Sequence, residues 1–252
     1  MNVLKKLTAP PWLALELGVP AFGLMALLMR SGLDQHDLFI PGHIAGILLW
    51  AVTVLMIVAQ LITVQRFGGK ARYGRMFPTS TTAACGILAA ALAILWSSWQ
   101  IWNNRTEMLE TIVAVLGLLS VISLVYLAWC RFRGLRSSFL LWSVVTLFLM
   151  MQLMLHYRHW SAQPELLRYC FPLFAMVCLT LAFYYRTAFS VGLGNRRKHL
   201  FFTQLGAFFC LVVLGSGFDL FYLGMLLWCL LDLPALRPLK TGAREELPED
   251  PA

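Results

Sequence analysis

Two groups of side chains in this sequence are of types that could do chemistry. The first contains His36, His43, Gln152, His156 and His159, with Asp34, Asp37, Glu107, Glu110 and Asp219 in positions that could surround them. Gln152 and His156 stand four residues apart, and His156 and His159 three, so all three share one face of a continuous helix. Imidazoles with carboxylates bind zinc or a similar ion, and a His-x-x-His step offers two ligands from one helix. A metal reading would draw on His36, His43, His156 and His159, and a haem held between His43 and His156 would use the same side chains. Against both stands the looseness of the pattern. No glutamate follows His156, as the HExxH hydrolases require. Histidines at a membrane interface beside Tyr157 and Trp160 give the same spacing without any ligand. The candidate outer polar site is therefore His43, Gln152, His156, His159 and Asp219, with no catalytic residue assigned and the cofactor left open.

The second group is Glu16, Gln60, Gln204 and Asp232. Each interrupts or ends an apolar run within about two helical turns of the same predicted side. A carboxylate inside a bilayer costs about 3 kcal/mol on insertion scales, so it must pair, protonate or reach water. The functional expectation is a proton- or cation-linked inner polar site in which Glu16 faces Gln60 and Gln204. The competing expectation is that Glu16, one turn inside Trp12, reaches the interface and meets Lys5 or a loop arginine.

The elements that must hold these groups are apolar helices. Of the 252 residues 60% are hydrophobic and 13% charged, about half the charge of a soluble domain. Apolar runs occupy 12–29, 44–65, 82–102, 111–130, 139–156, 166–185 and 200–233. Runs of this length predict bilayer-crossing α-helices, whereas a β-barrel would show shorter alternating segments. Pro20 is expected to kink the first. The last is interrupted at Gly215-Ser216-Gly217-Phe218-Asp219. It divides into two helices of roughly 16 residues, each about 24 Å long and short of a ~30 Å hydrocarbon core. They form two short crossings or a re-entrant hairpin. The expected fold is an all-α polytopic bundle of about eight helices. In the run 82–102, Ala83, Gly86, Ala90, Ala93, Ser97 and Gln100 recur at alternating steps of three and four. A seam of small residues lets helix backbones approach closely in lipid, which places this helix at the centre.

Sidedness follows from charge. With the N-terminus inside, sixteen of the lysines and arginines fall in inner segments and four (Arg30, Arg105, Arg158, Arg168) in outer ones. That asymmetry predicts cytoplasmic N- and C-termini in a cell membrane. It also explains the net charge of +8 without a nucleic-acid partner. The expected partners are the bilayer, anionic headgroups at the inner basic loops, and a membrane protein or second copy. Trp12, Trp129 and Trp142 read as inner interfacial anchors, and Trp99, Trp102 and Trp160 as outer ones. The six cysteines form no CxxC pair and read as small buried hydrophobes. Arg-Phe-x-Gly recurs at 66–69 and 131–134, a common way of closing a helix at a basic surface. Met150, Met151 and Met154 read as core filler. One transmembrane domain is expected over 1–233, with a charged, disordered cytoplasmic tail at 234–252.

Three functional expectations follow. Two polar layers separated by an apolar zone, with an interrupted last run, fit a small transporter or permease-like protein. Small-residue seams fit a non-catalytic membrane subunit or scaffold. The outer histidines and acids fit a membrane-embedded, metal-dependent enzyme. No Walker motif, G-x-S-x-G, HExxH or TVGYG-like segment is present.

Overall fold

Eight helices account for every regular element among the described residues: α1 (Trp12–Ser31), α2 (Ile44–Gln65), α3 (Thr81–Asn103), α4 (Met108–Arg133), α5 (Phe139–Ser161), α6 (Leu166–Ser190), α7 (Arg196–Ser216) and α8 (Leu220–Asp232). The computed structural model describes residues 12–32, 43–65, 77, 79–135, 137–161 and 166–234, and the side chains at 159–161 and 166–168 fall outside that set. Helices α1 to α7 are long and apolar enough to cross a membrane. The fold is the all-α bundle expected, with the architecture of a multi-pass membrane protein. His36, the basic segment 66–76 and the tail from 235 onward lie outside the described residues.

Local chemistry sets the helix ends. The Ser80 hydroxyl accepts from the Ala83 N–H and starts α3. Glu107 and Glu110 form a reciprocal capping box at the start of α4, satisfying donors that the first turn leaves unpaired. Gly134, at φ 73°, closes α4 in the left-handed region, where a side chain would be strained. This is the glycine of the second Arg-Phe-x-Gly; the first lies outside the described residues.

The final apolar region departs from the expected pair of equal helices. Asn195 caps α7 by accepting from the Lys198 N–H. That draws Arg196, Arg197, Lys198 and His199 out of the predicted loop and into the helix. At 21 residues, α7 is about 31 Å long and a full span. α8 has only 13 residues, about 20 Å, and returns the chain to the level at which α7 began.

The small seam packs as anticipated. A Cβ on Gly86 would lie 3.4 Å from the Trp228 Cα and 3.0 Å from the Leu231 Cβ, and one on Gly224 would lie 2.7 Å from the Ala89 carbonyl. α3 and α8 therefore meet almost backbone to backbone. Gln100 is the exception and is exposed. The hub of the bundle is nevertheless α7, with 72% of its span buried against 56% for α3. α7 packs on α1, α2, α6 and α8, while α3 turns Leu92, Trp96 and Trp99 outward. Three further expectations fail. Trp142 is fully buried, Met150 and Met154 face outward, and Cys85 is exposed.

Candidate functional site

Three ionisable side chains from three helices meet inside the bundle at its arginine-rich end. Arg186 stands one turn before the end of α6, His199 in the first turn of α7, and Asp232 closes α8. All three are at zero exposure. Arg186 Nη1 donates to Asp232 Oδ2 at 2.7 Å. His199 Nε2 lies 3.7 Å from the same oxygen, and Nδ1 lies 3.2 Å from the Ala182 carbonyl. A carbonyl oxygen only accepts, so Nδ1 carries a hydrogen and Nε2 is left to face the carboxylate. Helix ends explain part of the arrangement. Asp232 sits at the negative end of α8, an unfavourable place for a carboxylate, and the Arg186 guanidinium offsets that cost.

Aromatic rings wall the cluster. The Phe77 ring lies 3.6 Å from the Arg186 guanidinium carbon, and the Trp142 ring 5.1 Å. Arg131, from the end of α4, lies 5.2 Å from the same Phe77 ring. Phe77 also meets Phe189 and His199 edge-on. Phe183 stacks on Trp228 at 4.0 Å. In such a setting a planar cation keeps its faces on rings and its donors in plane. Arg131 and Arg196 are buried too, and Arg131 shares the Phe77 ring with Arg186.

Of the four residues in the predicted inner site, Asp232 is central to this cluster. Gln204 in α7 and Gln60 in α2 are buried, with Gln204 Oε1 and both Gln60 amide atoms lacking a hydrogen-bond partner. Within α7 the Thr203 hydroxyl donates to the His199 main-chain carbonyl one turn back. Glu16 separates from the group. It is exposed, whereas Gln60 and Gln204 are buried, so the expected Glu16–Gln60–Gln204 facing does not occur. Sequence reasoning missed Arg186, His199 and Arg131 because each lies at the edge of an apolar run, where a cation reads as part of a loop. The available signal was apolar sequence continuing past Arg186, through Thr187, Ala188 and Phe189.

Three of the outer residues make structural hydrogen bonds. His43 Nδ1 accepts from the Ala45 N–H at the start of α2. Asp219 caps α8 by accepting from the Phe221 N–H at 2.8 Å. Burial pushes the Asp219 carboxyl up, and that bond pulls it part of the way back. Gln152 is buried and donates to the Ser97 hydroxyl at 2.7 Å, tying α5 to α3. His156 is half-buried; His36 and the His159 side chain lie outside the described residues. Among the described residues no three histidine, cysteine or acidic side chains gather as a metal centre would need. A second feature is a surface groove of about 580 Å³ between α3 and α8, floored by Ala89, Ala93 and Gly224 and flanked by Trp96 and Trp99. Compared with protein-family models, curated proteins and solved structures, the chain finds no match.

Proposed function

We propose that this chain is a small transporter or permease-like protein of the cell membrane, with both termini cytoplasmic, whose ion-linked site is the Arg186–Asp232–His199 cluster. The observation that carries the reading is the complete burial of three ionisable side chains at one point inside the bundle. Such groups are costly in a membrane and mark substrate or ion pathways. Gln204, five residues along α7 from His199, and Gln60 in α2 add buried amides with unpartnered atoms. The site stands at the end that the arginine count assigns to the cytoplasm.

The test is flux through proteoliposomes with a pH-sensitive dye trapped inside. A panel of small solutes is applied under an imposed pH gradient. The wild-type protein is expected to let at least one solute move the internal pH, and Asp232→Asn to abolish that movement while keeping its helical content. Wild-type vesicles as tight as protein-free ones toward the whole panel would overturn the reading.

A second reading, a non-catalytic membrane subunit, draws on the groove between α3 and α8. Its exposed rim, Leu92, Trp96, Trp99 and Leu227, is an apolar surface on which a partner helix could pack. Native mass spectrometry from mild detergent is expected to show a complex under this reading; a solitary monomer would overturn it.

A further inference from the structure

The bond between Arg186 and Asp232 uses only part of the arginine. A guanidinium frequently grips a carboxylate with two parallel donors. Here Nη1 alone reaches Asp232, and Nε and Nη2 have no hydrogen-bond partner although the residue is at zero exposure. Nε and Nη2 are not a random pair. They form the side-on edge of the fork, whose spacing matches two oxygens of a carboxylate or phosphate. The rest of the group is already engaged: Phe77 and Trp142 rings pack near it, and Asp232 holds the remaining in-plane nitrogen. What is left is one buried, planar, two-donor edge.

We propose that this edge binds an oxyanion, a carboxylate or a phosphate group, held bidentately by Arg186 Nε and Nη2. The inference rests on the reading of the cluster as a ligand site and names the class of ligand. Asp232 then has two effects. It fixes the guanidinium in place, and its negative charge opposes the incoming anion. Arg131 and, when protonated, His199 act in the opposite sense and favour the anion. The oxyanion has two sources with shared chemistry. It is a free solute, or it is the phosphate of a lipid headgroup reaching in from the arginine-rich end, where the cluster lies about one helical turn deep.

The experiment measures thermal unfolding of the full chain in nanodiscs. In one arm the bilayer is neutral phosphatidylcholine, and inorganic phosphate or acetate is titrated against chloride at matched ionic strength. In the other, phosphatidylglycerol replaces part of the phosphatidylcholine and no phosphate is added. Wild-type protein is expected to gain melting temperature in at least one arm, and the arm identifies the source. Arg186→Lys keeps the charge but loses the fork, and should weaken the half-saturating concentration about tenfold or more. Asp232→Asn should melt lower at the start yet gain more from the anion, an inversion that a purely structural ion pair does not produce. No oxyanion-specific gain in either arm overturns the proposal, and so does a gain of equal size and midpoint in Arg186→Lys. If Arg186→Lys does not fold, the Asp232→Asn gain decides: a gain no larger than wild type overturns it. Equilibrium binding separates this inference from the transport reading. Binding without flux sinks transport alone, and flux without any oxyanion effect sinks the oxyanion alone.

Discussion

The two ends of the bundle use similar residue types and treat them in opposite ways. At the arginine-rich end, Arg186 and Asp232 form an ion pair at zero exposure. At the other end, Arg158 grips Glu107 through two donors, at 2.6 and 3.1 Å, with both side chains about half exposed. The exposed pair has the better hydrogen-bonding geometry, and the buried pair has the greater consequence. Water or headgroups replace a surface partner at little cost. A charge left alone inside a bundle has no replacement. The comparison teaches that in an apolar fold the energy of a polar contact is set by its surroundings more than by its distance.

The largest effect should come from breaking the buried pair on one side. Asp232→Ala strands Arg186 and is expected to destabilise the fold by about 3–5 kcal/mol, while a paired replacement such as Arg186→Met with Asp232→Leu should recover much of that loss. Reversible unfolding in mixed micelles reads both. A single variant as stable as wild type would contradict the burial of the pair. An intermediate effect belongs to the buried neutral contact of the opposite end. Ser97→Ala removes the acceptor of Gln152 Nε2, and its Oε1 already lacks a partner. The expected loss is about 1–3 kcal/mol, measured the same way, and Gln152→Leu in that background should be closer to neutral. The smallest effect should be Glu107→Gln. Its partner is more than a third exposed, so the ion pair contributes no more than about 1 kcal/mol, fading as salt is raised. If Glu107→Gln proved as damaging as Asp232→Ala, the contrast between the ends would collapse.

Much of the fold was legible in the residues, and the site much less so. The limits of α2 follow directly from its apolar run, and the interruption at Gly215 to Asp219 does separate α7 from α8. The seam of Ala83, Gly86, Ala90 and Ala93 is buried as its spacing implied. Asp232 stood out as a carboxylate within an apolar run. Its partners did not, because Arg186 is 46 residues away and looked like one more basic residue in a loop. Glu16 stood out for the same reason as Asp232, yet it faces outward. Both carboxylates lie in apolar runs, and what packs beside each decides its burial.

What the chain determines by itself is the class of fold and the number of its helices. Those follow from local physics: apolar length against bilayer thickness, caps that satisfy terminal donors, and breakers such as Gly217. What only the tertiary structure decided is which face of each helix is inside. A helix that is apolar nearly all round carries little amphipathic signal to mark its buried side. Neighbouring helices make that choice through close packing, and it brings Arg186, His199 and Asp232 to one point.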